Sequence, residues 1–293
     1  MINTKIIPLT SNTMFKELFG RIENKDILSF FLSNYLDIEY NLVYDNIIHL
    51  NTSLKIDNIN DYKYDTDIIV TLNDVVINLE MNNIFWNGIK NRNFSYITTL
   101  IGKQYVSGKG KEQFKKIKKH IQINLNKYTE PKNRKVQILK LKDIETDEEI
   151  ELLEIHNVNL EVIKEECYNK DVNELTKLEK VSKFLLSENS EELKGVIGDM
   201  DEILDKVMDL CNDERLIGLY NKEDLDEAIK EGRYLAGVDD GIEKGIEKKQ
   251  KEVVINMLND NLDIELISKY TNMDVSEIKK IKNEINLISF WFF

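Results

Sequence analysis

The spacing of apolar and polar positions changes several times along the chain. Over residues 12 to 36 the apolar side chains Phe15, Leu18, Phe19, Ile27, Leu28, Phe31, Leu32 and Leu36 recur three and four apart, which predicts a helix broken near Gly20. The β-branched stretch VYDNIIHL (43 to 50) predicts a strand, and DTDIIVTLNDVVINLEM (65 to 81) alternates on both sides of Asn73-Asp74, a dipeptide suited to a two-residue hairpin turn. A helix is expected from about 89 to 106, ending at Gly108 and Gly110. HIQINL (120 to 125) and KVQILKL (135 to 141) then alternate as strands. From about residue 173 the period is helical again, with Leu193, Val196, Ile197, Met200, Ile203, Leu204 and Val207 on one apolar face.

Pro8 and Pro131 are the only prolines, so domain edges must come from the changes of period and charge. These divide the chain into an α/β domain over 1 to 165, an acidic helical region over 166 to 238 and a helical tail over 239 to 293. A break is expected around Gly232, Gly237, Gly241 and Gly245, where Gly-Ile-Glu-Lys occurs twice in tandem. Two small helices follow over 262 to 270 and 275 to 285, with Asp274 and Glu277 at capping-box spacing. That pair is either a helix-turn-helix or a hairpin for packing and self-association; the second use implies a homo-oligomer joined through the C-terminal helices.

The hairpin yields the first candidate chemistry. With Asn73-Asp74 as its loop, facing residues have numbers that sum to 147, so Asp67 faces Glu80, Asp65 faces Asn82, Ile69 faces Asn78 and Thr71 faces Val76. All of these share one face, a polar floor. Ile68, Val70, Leu72, Val75, Ile77 and Leu79 fill the other, which is core. Carboxylates placed directly opposite, with Cβ atoms roughly 5 Å apart, repel each other. Either both turn to solvent or a cation neutralises them; Mg²⁺ suits such a pair, because it takes one or two carboxylates together with water and phosphate oxygens.

Charge adds a second feature. The formal net charge is -13, which by itself argues against nucleic acid. Yet residues 103 to 142 carry 13 basic and 2 acidic side chains, while 143 to 293 carry 19 and 39. One short basic span inside an acidic chain is either a solvated helix face or a surface that contacts phosphates. Its candidate contacts are Lys103, Lys109, Lys111, Lys115, Lys116, Lys118 and Lys119.

Other chemistries are excluded or demoted. Cys167 and Cys211 form neither a CxxC pair nor a disulfide framework, in keeping with a reducing cytoplasm. His49, His120 and His156 lack zinc-ligand spacing. Gly102 to Lys109 has five residues between its glycines and no Ser or Thr after the lysine, so it is not a phosphate loop. Tyr96 and Tyr105 are expected to pack. The first residues have no apolar core of a leader and the terminal ISFWFF is too short to span a bilayer, so a soluble cytoplasmic protein without membrane contact is expected.

PLTSNTMFKELFG, DTDIIV, INLEMN, Arg92 with SYITTLIGKQYVSG, and the closing Gly-Ile-Glu-Lys repeats with MLNDNLDIELISKYTNMDVSEI together resemble the PD-(D/E)XK nuclease superfamily, in its recombination-promoting nuclease and transposase branch. The resemblance implies an α/β, restriction-endonuclease-like core followed by a helical C-terminal region. It implies a metal-dependent DNA endonuclease of mobile-element or defence type, with Mg²⁺ or Mn²⁺ held by Asp67 and Glu80. Lys16, Asn82 and Arg92 would orient water or the phosphate. Two departures stand out: Asn82 occupies a position that is Lys in the superfamily and usually Gln in this branch, and Asn12 one that is usually Asp. They keep open an alternative, a degenerate nuclease fold that binds DNA or a protein partner without cutting. A third reading, from the acidic helical half alone, is an interaction protein that regulates a partner.

Overall fold

The computed structural model describes residues 4 to 54, 64 to 104, 117 to 128, 134 to 167 and 169 to 291. Lys109, Lys111, Lys115, Lys116, Tyr105, Gly108, Gly110 and Pro131 lie outside the described residues. The chain divides into two compact units, Met1–Glu223 and Asp224–Phe293.

In the first unit, helices α1 (Asn12–Gly20) and α2 (Lys25–Leu36) flank a 3₁₀ turn at Ile22–Asn24, in agreement with the predicted break near Gly20. Ser11 caps α1 by accepting from the Met14 amide at 3.2 Å. Helix α3 (Tyr40–Asn46) and the short strand β1 (Ile47–His49) then divide the stretch predicted as one strand. Its first half turns helical, which buries Val43 against the core. A two-stranded ribbon, β2 (Ser53–Leu54) with β3 (Tyr64–Asp65), precedes the hairpin β4 (Ile68–Leu72) and β5 (Val75–Asn82). Helix α4 (Ile89–Gln104) leads to β6 (Lys119–Asn126), β7 (Val136–Lys142) and β8 (Glu149–Asn159). Helices α5 (Leu160–Cys167), α6 (Lys177–Leu186), α7 (Ser190–Ile197) and α8 (Asp201–Asn212) complete the core.

Six strands form one mixed sheet in the order β1-β4-β5-β6-β8-β7. The hairpin register is the one predicted, with Ile68 opposite Leu79 and Leu72 opposite Val75, and Asn73 takes the left-handed conformation (φ 53°) that such a turn requires. Two parallel pairings follow, β5 with β6 and β6 with β8. On one face, Ile68, Val70, Ile77, Leu79, Ile121, Ile123 and Leu125 pack with apolar residues of α1, α2 and α5 to α8. The apolar positions expected on a single helical face, Leu193 to Val207, are divided between α7 and α8, with Met200 capping the second. The opposite face meets α4, whose Leu100 packs on Ile69 and Val76. The central strands β4, β5 and β6 are therefore covered on both sides, an α/β arrangement.

Helix α9 (Glu214–Asn259) runs unbroken through the four glycines at which a break was expected. In the second unit, α10 (Ile264–Thr271) and α11 (Val275–Trp291) share a small core of Val254, Ile267, Met273, Ile278 and Ile281, joined by a turn at Asn272 (φ 55°). No helix among the described residues is long and apolar enough to cross a membrane.

Candidate active site

The site lies where the hairpin ladder stops. Beyond the Ile68 and Leu79 pair, Asp67 leaves the strand and its carboxylate accepts the Met81 amide at 2.9 Å. In return the Asp67 amide donates to Oε1 of Glu80 at 3.2 Å. The predicted opposition of the two acids is thus realised as a reciprocal side-chain and backbone clasp. Asp65 does not face Asn82: it pairs with Ser53 in the small ribbon, because the ladder has already ended.

Glu80 is only 3% exposed. Its Oε1 also accepts from Asn78 Nδ2 at 3.1 Å. Burial, followed by the charge of Asp67, pushes its carboxyl up to about 8, although Arg92 and these hydrogen bonds act in the opposite direction. Lys16, one turn into α1, reaches the other oxygen of Asp67 at 3.1 Å. An ammonium thus already balances part of the negative charge at this corner.

Asn82 ends β5 with both amide atoms engaged. Its Oδ1 accepts from the Arg92 guanidinium at 2.5 Å and its Nδ2 donates to Asn126 Oδ1 at 2.9 Å. Arg92 also donates to Asn93 and lies 5.5 Å from the centre of the Tyr96 ring. Tyr96 is buried, as expected of a packing residue. Asn12 begins α1 and is exposed; Glu223 caps that end, accepting from the amides of Asn12 at 2.6 Å and Thr13 at 2.9 Å.

Sequence reasoning missed the rest of the floor. Asn78 Nδ2 donates to Gln122, Gln122 to Asn124, Asn124 to Asn157 and Asn157 to Gln137, at 2.7, 2.9, 2.9 and 3.3 Å. These amides cross four strands, and Asn78, Gln122 and Asn124 are fully buried. Their signal in the sequence is the alternation of polar residues in HIQINLN, read there only as a strand; the polar side of that strand lies on the sheet face that α4 covers.

The basic candidates separate. Lys103 is exposed on the last turn of α4. Lys118 donates to the Asn73 carbonyl at the turn, so it sits at the far end of β5 from Asn82, roughly 20 Å along the strand. Lys119 lies on the opposite sheet face, bonded to Glu154 at 2.6 Å. Glu154 is held down to about 2 despite partial burial, by Lys119 and His156. Lys119→Met should therefore cost about 1–2 kcal/mol of stability, as read from urea midpoints. Because the Glu154 carboxyl is depressed, the pair's contribution is full above its ordinary pKa of 4.5 and is lost as pH falls through about 2. The histidines serve structure: His49 donates to the Phe19 carbonyl, His120 to that of Lys118, and His156 bridges Tyr35 and Glu154.

Among the described residues no group of three or more His, Cys, Asp or Glu side chains could hold a metal ion, so any cation site here rests on the two acids. That donor set suits a hard divalent cation that completes its shell with water and phosphate oxygens, and it does not suit zinc. Searches of curated proteins and of solved structures give no match. A family model described as PD-(D/E)XK nuclease family transposase matches residues 11–224. Most of the chain, including every residue of the floor, lies within that match, so the chain belongs to the PD-(D/E)XK nuclease family of transposases and its function is of the nuclease type.

Proposed function

We propose that the chain is a divalent-cation-dependent DNA endonuclease, with Asp67 and Glu80 holding Mg²⁺ or Mn²⁺. The observation that carries this reading is the reciprocal clasp of the two acids at the end of the hairpin, with Lys16 3.1 Å from Asp67. When bound, the cation supplies Lewis-acid polarisation of the phosphodiester and acidifies water at neutral pH. Glu80, whose carboxyl burial keeps protonated to about pH 8, must release its proton to serve as a ligand. Lys16 is half exposed and long enough to move from Asp67 to a phosphate oxygen. Arg92, oriented by Asn82 and Asn93, is a fixed guanidinium suited to a non-bridging phosphate oxygen. Asn82 thus acts by positioning Arg92, a role an amide fills without the charge of lysine.

Nicking of supercoiled DNA is the direct test: cleavage with Mg²⁺ or Mn²⁺ and none in EDTA. Asn82→Gln should keep cleavage within about tenfold of wild type, since Gln offers the same acceptor and donor. A second reading, binding without cutting, is favoured by one observation: both amide atoms of Asn82 are taken up by protein partners. DNA binding with no cleavage in any divalent cation, by wild type or by Asn82→Gln, would establish that reading instead.

A further inference from the structure

Strands β5 and β6 run parallel, so the segments that follow them leave the sheet at the same edge, beside Asn82 and Asn126. The two segments are joined there. The Lys127 amide donates to the Asn82 carbonyl at 2.9 Å, the Tyr128 hydroxyl donates to Asn126 Oδ1 at 3.0 Å, and the rings of Phe85 and Tyr128 meet edge to face at 5.4 Å. Phe85 and Trp86 are nevertheless each 45% exposed. Burying large aromatic rings is favourable, so two of them left open beside a nuclease site call for an occupant.

Trp86 is held in place. Gly88 has φ 108°, and a Cβ there would stand 2.7 Å from a ring carbon of Trp86, so the indole packs against backbone that only glycine leaves free. The Trp86 carbonyl accepts the Ile89 amide as α4 begins, and Lys90 and Phe94 are exposed one turn apart on that helix. The charge around the rings is one-sided. From Met81 to Lys111 the sequence has no acidic residue, and from Lys118 to Thr129 again none, in a chain of net charge -13. Lys90 and Lys127 are exposed and Arg92 is half-exposed. Open rings set among cations suit a polyanion that carries flat apolar groups.

We infer that Phe85 and Trp86 form a stacking platform for unpaired bases of a DNA strand whose backbone passes over Asp67 and Glu80. In duplex DNA the base faces are covered by their neighbours, so only a single strand, a frayed end or a flipped nucleotide can use these rings. The inference rests on the nuclease reading and names its substrate class as DNA unpaired next to the scissile phosphate.

The test measures binding in EDTA, so it does not depend on cleavage. Trp86 and Trp291 are the only tryptophans. In the full chain with Trp291→Phe, titration with a 12-nucleotide oligothymidylate should quench Trp86 emission, and a 12-base-pair duplex should quench it far less. Trp86→Ala and Phe85→Ala should weaken oligothymidylate binding roughly tenfold or more and duplex binding by less than about twofold, while Trp86→Phe, which keeps a ring, retains most of the affinity. Equal losses for the two DNA forms, or no quenching, would overturn the inference. So would a fall in oligomeric mass of Trp86→Ala with single-strand binding unchanged, since the rings would then face another protein chain. Quenching by a chain that never cuts would leave the platform standing and reject the endonuclease reading; cutting without quenching would do the reverse.

Discussion

Asp67→Asn and Glu80→Gln are each expected to reduce cation-dependent DNA cleavage by about 100-fold or more while leaving a folded protein. The expected loss is large because no third acidic or imidazole ligand among the described residues stands by to replace either group. Folding should survive because each replacement keeps an acceptor where one is needed. Glutamine at 80 can still take the Asp67 and Asn78 donors, and asparagine at 67 can still take the Met81 amide. Circular dichroism and urea midpoints would show the fold intact, and gel shifts in EDTA would show DNA binding retained. Cleavage at the wild-type rate by either variant would remove these residues from the chemistry.

Metal-free protein should become less stable as pH rises from about 4.5 to about 8, and Glu80 is the group responsible. The sign follows from linkage: a carboxyl whose folded pKa is raised binds more protons in the folded than in the unfolded chain between those values. Its contribution is complete below 4.5 and has disappeared above 8. The slope it adds is at most about 1.4 kcal/mol per pH unit. Urea unfolding in EDTA across this range should show the decline, and Glu80→Gln should flatten it. Millimolar Mg²⁺ should restore stability chiefly at the alkaline end, where the carboxylate is free to bind it. A variant that keeps the full slope would show that other groups cause it.

The hairpin was legible because three signals agreed: alternation on both sides, a turn dipeptide that tolerates positive φ, and a hydrophobic face that fixes register. Counting outward from Asn73-Asp74 therefore placed Asp67 against Glu80. It failed one step further, at Asp65, because alternation in sequence does not say where a ladder ends; here the Asp67 carboxylate takes the Met81 amide and closes it. Strand β8 escaped notice because its first half is glutamate-rich and exposed, so period two was visible only over Leu153–Asn159 of an eleven-residue strand. Helix α9 continues through its glycines because they meet no neighbours and sit in a helix that exposed charges support. Lys119 illustrates the limit of charge counting: strand parity puts it on the face away from the site.

The row of amides from Asn78 to Gln137 has a direction. Each of the three interior members, Gln122, Asn124 and Asn157, accepts from the one before and donates to the one after, so turning any one of these side chains over would set donor against donor at one join and oxygen against oxygen at the next. Its members are consequently not free to vary one at a time. A change that is harmless at an isolated amide would here leave two neighbours unpaired in a buried layer, and its cost would depend on which partner had already changed. The floor beneath the two acids therefore behaves as a set, and an exchange that keeps it satisfied is one that preserves the order of donors and acceptors.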